Sequence, residues 1–130
     1  YEVPFKEGAL PFLQCCKDNG IKMGIATSNS RELVNHAAQA LSLHHYVSCI
    51  MTACEVNKGK PAPDIYLAVA ERLLVDPAKC LVFEDIIPGI MAGKNAGMKV
   101  CAVEDLYSAD FRKDKKALAD YYIDDFYELL

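Results

Sequence analysis

Three short groups of residues have side chains and spacings that could do chemistry together. Thr27-Ser28-Asn29 places a hydroxyl and consecutive backbone amides where an apolar run gives way to a helical pattern. Amides at a helix N-terminus form a cradle for an anion such as phosphate; the competing reading is a plain helix cap. Lys60 stands before Pro61-Ala62-Pro63 in a loop that the prolines stiffen. Held there, its ammonium could balance a phosphate or a transferring phosphoryl group, whereas an isolated lysine is ordinarily solvated. Glu84-Asp85 sets two carboxylates side by side after the run Leu81-Val82-Phe83. Adjacent carboxylates repel unless a cation or donors lie between them, and hard oxygen ligands of this kind suit Mg²⁺, with water and substrate phosphate completing its shell. The alternative is a structural pair capping the next helix. A second acidic pair, Glu104-Asp105, has nothing converging on it and reads as a solvated turn.

The elements that must position these groups follow from periodicity. Short apolar and β-branched runs alternate with helical patterns, which predicts βαβ units and an α/β fold with a parallel sheet. A helix is expected from about Gly8 to Asn19 with Gly20 as its C-cap glycine, then a strand from Ile21 to Thr27. A second helix, Arg31 to Leu41, is expected to open on a capping box formed by Asn29 and Glu32. A strand over Val47 to Met51 leads into the proline loop, and Asp64 precedes a helix with Ile65, Ala68, Val69, Arg72 and Leu73 on one stripe. Further on come the strand at Leu81-Phe83, a helix from Pro88 to Asn95 closed by Gly97, a strand from Lys99 to Val103, a helix around Ser108 to Leu118 and a short strand at Tyr121 to Ile123. Ligand sites of open α/β sheets lie beyond the carboxyl ends of the strands, and Thr27, Lys60, Glu84 and Asp85 all fall at that edge.

Composition narrows the classes. The 130 residues are 52% apolar and 25% charged, the balance of one globular domain, taken here as residues 1–130. With 14 basic against 18 acidic residues and a net charge of −4, no nucleic-acid partner is expected. No apolar run approaches the ~20 residues of a membrane span, so no membrane partner is expected either. Cys15, Cys16, Cys49, Cys54, Cys80 and Cys101 show no C-x-x-C spacing and are expected to be reduced, buried thiols, which places the protein in the cytoplasm. His36, His44 and His45 are scattered and carry no expected chemistry. The chain opens at Tyr1 on a proline-marked approach, Val3-Pro4-Phe5-Lys6-Glu7-Gly8, which reads like the interior of a longer protein.

Taken in order, these residues resemble the haloacid dehalogenase (HAD) superfamily, particularly its phosphatases and β-phosphoglucomutase-like members with a helical cap. Ile25-Ala26-Thr27-Ser28 is similar to the family's second signature, Lys60-Pro61-Ala62-Pro63-Asp64 to the third, KPxPD, and Phe83-Glu84-Asp85 with Pro88-Gly89-Ile90, Ala92 and Ala96-Gly97-Met98 to the fourth. The resemblance implies a Rossmann-like core with helices on both faces. Thr27, Ser28, Asn29 and Lys60 would bind phosphate, Thr27 and Lys60 would take part in catalysis, and Glu84 and Asp85 would hold Mg²⁺. A tight turn in the third signature predicts a cis Lys60-Pro61 bond. Two departures stand out: Ile86 where the family commonly has Ser, and Gly93 where Ala is common.

The first signature, DxDx[TV], which supplies the nucleophilic Asp of the aspartyl-phosphate and a second Asp for acid-base work, is absent: no Asp-x-Asp occurs among the 130 residues. The resemblance therefore predicts the part of the core that follows the cap, without the central nucleophile strand. A gap is expected between the strands near Ile21 and Val47 and those near Leu81 and Val100. The expected function is a share in Mg²⁺-dependent hydrolysis of a small phosphorylated metabolite such as a sugar phosphate, this chain alone being inactive. A phosphosugar mutase and a non-catalytic core that binds or swaps strands are the alternatives. The expected partners are the metabolite and either an N-terminal segment or a strand-swapped second copy.

Overall fold

Left-handed residues follow four of the helices in this chain, glycine at Gly20 and Gly97 and non-glycine at Ser42 and Leu74. The computed structural model describes residues 8–105 and 110–130. Helix α1 (Ala9–Asp18) ends at Gly20, whose φ of 70° lets the Ile21 N–H reach the Cys16 carbonyl at 3.0 Å. That bond removes Ile21 from the ladder, so strand β1 (Gly24–Thr27) starts three residues later than its apolar run suggests. Helix α2 (Arg31–Leu41) is capped by Ser30, whose hydroxyl accepts the Leu33 N–H, and not by the expected Asn29. Strand β2 (Cys49–Thr52), helix α3 (Asp64–Leu73), strand β3 (Leu81–Glu84), helix α4 (Ile87–Asn95), strand β4 (Lys99–Val103), helix α5 (Arg112–Leu118) and strand β5 (Tyr121–Ile123) complete the order. The expected approach at Val3 to Glu7 and the expected helix start at Ser108 lie outside the described residues.

Every strand pairing is parallel, but the strands fall into two sheets. β1 pairs with β2, Thr27 opposite Thr52; β4 pairs with β3 on one side and β5 on the other, Glu84 opposite Ala102. Among the described residues no strand joins β1 to β3, which is where the family resemblance places a gap. The two strands are also less buried than their partners: Gly24 and Leu81 are exposed, while Val100 to Val103 are at most 2% exposed.

One core nonetheless serves both sheets. Cys49 and Met51 of β2, Ile65, Val69 and Ala70 of α3, Val82 of β3, Ile90 and Ala92 of α4 and Val100 of β4 form a single apolar cluster, so α3 and α4 make a continuous layer over one face. The α3 stripe is Ile65, Tyr66, Val69 and Ala70, rotated from the predicted one because Arg72 stays in solvent. On the opposite face Phe12 of α1 packs edge-on to Phe83 at 5.2 Å and stacks on Phe126 at 5.3 Å, while Ala38 of α2 packs with Leu43 and Val47. Gly93 is buried, and a Cβ there would lie 2.6 Å from a Val100 methyl, so α4 approaches β4 as closely as it does only without the alanine common in the family.

All six cysteines are unpaired, yet only Cys16, Cys49 and Cys101 are fully buried; Cys15 and Cys54 are exposed, against expectation, because they face outward from α1 and from the turn after β2. Burial pushes the Cys101 thiol up to about 11. Leu74, which ends α3, is left-handed at φ 59° and 85% exposed. A non-glycine residue pays about 1–2 kcal/mol for that conformation. Replacing it, Leu74→Gly, is expected to stabilise the chain by about 0.5–1 kcal/mol after the added unfolded-state freedom of glycine. Urea unfolding checks this, and a lower midpoint would contradict it.

Candidate phosphoryl-handling site

The site is assembled at the carboxyl ends of β1 and β3 by a loop that two hydrogen bonds hold. Lys60-Pro61 is cis, as the tight turn requires; the Ala62 N–H bonds the Gly59 carbonyl at 3.0 Å, and the Asn95 amide of α4 donates to the Pro61 carbonyl at 3.1 Å. This geometry turns Lys60 inward. Its side chain is 9% exposed and its ammonium donates to the Glu84 Oε2 at 2.7 Å and to the Ala26 carbonyl at 3.3 Å. One amine thus spans the interval between the two sheets.

Glu84 is held from three directions. Its Oε2 accepts Lys60 and the Tyr66 hydroxyl, the latter at 2.6 Å, while Oε1 accepts the Asp85 N–H at 3.2 Å. Gly89, in the first turn of α4, leaves the space the carboxylate occupies: a Cβ there would lie 2.0 Å from the Glu84 carboxyl carbon. Burial, then the Glu84 charge, pushes the Tyr66 phenol well above its ordinary range, so it donates and does not ionise. The Lys60 ammonium also lies 5.1 Å from the centroid of the Tyr66 ring.

Thr27 is half-buried at the end of β1, with Ser28 and Asn29 exposed beyond it. The Asn29 N–H donates to the Thr27 Oγ1 at 3.1 Å, so that amide closes the turn, and the Thr27 hydroxyl keeps its own proton to donate. The structure therefore brings Thr27, Lys60 and Glu84 to one edge, Lys60 bonded to both strands. A cavity of about 220 Å³ opens beside Glu84, lined by Phe83, Glu84, Asp85, Val103 and Phe126.

The donor set can be tested against Mg²⁺. Among the described residues no three His, Cys, Asp or Glu side chains converge. Glu84 Oε2 is committed to Lys60 and Tyr66; the other hard oxygens of the acidic pair are Glu84 Oε1, which accepts the Asp85 N–H, and the Asp85 carboxylate. Mg²⁺ needs only one or two protein carboxylates when water and a substrate phosphate supply the rest, so the residues fit the ion. Ile86 gives α4 an N-cap without a side-chain hydrogen bond, consistent with the loss of the hydroxyl usual there.

Two residues of this site were not singled out by sequence reasoning. Tyr66 sits on the apolar stripe of α3, where an aromatic reads as core, and Gly89 was read only as part of a motif. Glu104 corrects an expectation in the other direction. It is not a solvated turn: its carboxylate accepts from the Tyr122 hydroxyl and from Arg112 Nε, and the fully buried Lys115 ammonium donates to the adjacent Val103 carbonyl at 2.9 Å. The sequence signal is Arg112, which opens α5 after Glu104.

The haloacid dehalogenase-like hydrolase profile matches residues 2–97. The bifunctional riboflavin kinase/FMN phosphatase of Arabidopsis thaliana is 44% identical over 103 residues, covering 76% of this chain and 26% of that protein. The phosphorylated carbohydrates phosphatase of Thermotoga maritima is 38% identical over 92 residues, covering 71% and 43%. In three dimensions the family IA variant 3 hydrolase from Entamoeba histolytica superposes with a TM-score of 0.87 at 28% identity, over 100% of this chain and 59% of that one. The chain spans between a quarter and half of the length of those two phosphatases.

The hydrogen bond from Tyr122 is the largest influence holding the Glu104 carboxyl below its ordinary value. A lowered folded value means stability that is present above the unfolded pKa and lost as pH falls through the folded one. Tyr122→Phe is therefore expected to cost about 1.5–3 kcal/mol near neutral pH and progressively less as pH falls through the lowered folded value of Glu104. Thermal melts across that range check the sign, and a cost independent of pH would contradict it.

Proposed function

We propose a function from the premise that the chain belongs to the haloacid dehalogenase-like hydrolase family: its residues form the phosphoryl-handling part of the core of a Mg²⁺-dependent phosphatase acting on a small phosphorylated metabolite. The observation that carries this reading is the Lys60 ammonium, buried against Glu84 and the end of β1 at one sheet edge. Two of its three N–H groups are used by Glu84 and Ala26, which leaves a donor for a phosphoryl oxygen. The Thr27 hydroxyl and the Ser28 amide supply neutral donors to the same group, and Asn29 orders the turn that presents them. Glu84 Oε1 and Asp85 would hold Mg²⁺, which when bound offsets charge on the phosphoryl oxygens.

The chemistry needs one group this chain does not supply. A carboxylate must attack phosphorus while the ester oxygen departs with a proton, and water must then cleave the acyl phosphate to release inorganic phosphate. No Asp-x-Asp is present in the sequence, and β1 and β3 border an interval with no strand between them among the described residues. We therefore place the nucleophile on a parallel strand that pairs with both edges, from another segment of the same protein or from a second copy that exchanges strands. The proposed substrate class follows the relatives, whose names specify FMN and phosphorylated carbohydrates. Six unpaired cysteines support a reducing, cytoplasmic setting, and no helix among the described residues is long and apolar enough to cross a membrane.

Release of phosphate from p-nitrophenyl phosphate in the presence of Mg²⁺ tests this. The chain by itself is expected to show none; joined to a strand bearing Asp-x-Asp it is expected to turn over, and Lys60→Met in that assembly is expected to reduce kcat by roughly 10²–10³-fold. Turnover by the chain alone that disappears in Asp85→Asn would show that the nucleophile has been misplaced.

A further inference from the structure

Resting on the phosphatase reading, we propose that Tyr66 is a positioning residue that acts on Lys60 through Glu84. The Glu84 carboxylate has two oxygens and the site makes different demands on each. Oε2 takes both strong donors, the Lys60 ammonium at 2.7 Å and the Tyr66 hydroxyl at 2.6 Å, while Oε1 takes only the Asp85 N–H at 3.2 Å. Without the Tyr66 hydroxyl nothing on α3 fixes which oxygen faces Lys60, and the carboxylate is free to turn about its terminal bond, a soft torsion. Tyr66 thereby divides the group: one oxygen neutralises the lysine, the other is kept on the side of Asp85.

Two further features make this more than a satisfied core phenol. Tyr66 is 8% exposed and packed in the cluster that joins both sheets, so its hydroxyl is delivered from a rigid element. Gly89 leaves on the far side the space that this one carboxylate position needs, since any Cβ there would overlap the carboxyl carbon. The same ring lies beneath the Lys60 ammonium at 5.1 Å, so both members of the ion pair are referred to a single side chain. An aromatic needed only for packing requires neither the hydroxyl nor the gap at Gly89.

Competitive reductive methylation of the whole chain in metal-free buffer, scored by mass spectrometry, reads this without any turnover. Exposed Lys113 serves as the internal reference. In the wild type, Lys60 is expected to label at least tenfold more slowly than Lys113. Tyr66→Phe, which keeps the ring, is expected to raise Lys60 labelling three- to tenfold, and Glu84→Gln at least as much. The double variant is expected to label no faster than Glu84→Gln, because Tyr66 works through that carboxylate. Wild-type protection in Tyr66→Phe, or effects that multiply in the double variant, would overturn the proposal, and a purely structural role would give that multiplying pattern. Should Tyr66→Phe lose the wild-type circular dichroism, Gly89→Ala decides: it displaces the carboxylate with Tyr66 intact, and unchanged Lys60 labelling would overturn the proposal. In the assembled enzyme Tyr66→Phe is expected to lower kcat about tenfold with KM changed less than twofold. If the wild-type assembly hydrolyses no phosphomonoester while the labelling pattern holds, the phosphatase reading fails and the positioning role stands.

Discussion

A lysine buried to 9% exposure can be tolerated only if its charge is matched, and in this chain everything near the sheet edge is arranged around that requirement. Lys60 is matched by Glu84, Glu84 by Tyr66 and by the space at Gly89, and the lysine's approach by a loop tied to α4 through Asn95. Breaking such a pair by removing one partner leaves an uncompensated buried charge and typically costs about 3–5 kcal/mol. The same pair is a polar tie between the two sheets, since the ammonium bonds a carbonyl of β1 and a carboxylate of β3. Stability and the proposed chemistry therefore rest on the same atoms.

The apolar side of the fold explains why two sheets can hold that register. α3 and α4 cover both with one continuous cluster, so the helical layer sets how far apart β1 and β3 stand even where no strand hydrogen-bonds them. The opposite face is organised differently, with Phe12, Phe83 and Phe126 packed as a trio against the three-stranded sheet and a separate small cluster under α2. In the proposed function, the interval bordered by two parallel edges, with a fixed positive charge at its carboxyl end, receives an anionic ligand and a strand that brings a carboxylate to it.

Much of this was readable from residue order, because strand ends in parallel α/β folds are also ligand edges. Thr27, Lys60 and Glu84 could be placed at one rim from periodicity and loop prolines, and the interval between sheets is what the family resemblance implies once the Asp-x-Asp signature is missing. What escaped was whatever tertiary packing decides. Tyr66 carries its apolar ring on the α3 stripe, and nothing in its spacing announces that the hydroxyl meets Glu84. Ser30, not Asn29, caps α2, because the helix begins at Arg31 and the Ser30 hydroxyl is the one placed to accept the Leu33 N–H. Glu104 looked solvated because its partners Arg112 and Tyr122 come from later elements. Cys15 and Cys54 were expected inside, yet apolar neighbours in sequence do not fix which way a side chain faces at an element's rim.

The chain belongs to the haloacid dehalogenase-like hydrolases, and in the proposed function the edge carrying Lys60 receives a phosphoryl group. The most direct measurement is a titration of the ¹⁵N-labelled chain with inorganic phosphate in the presence of Mg²⁺, followed by amide shifts. Saturable shifts are expected at Thr27, Ser28, Asn29 and the Lys60 loop, and their loss is expected in Lys60→Met at unchanged fold. Shifts that persist in Lys60→Met, or that fall elsewhere on the surface, would contradict it.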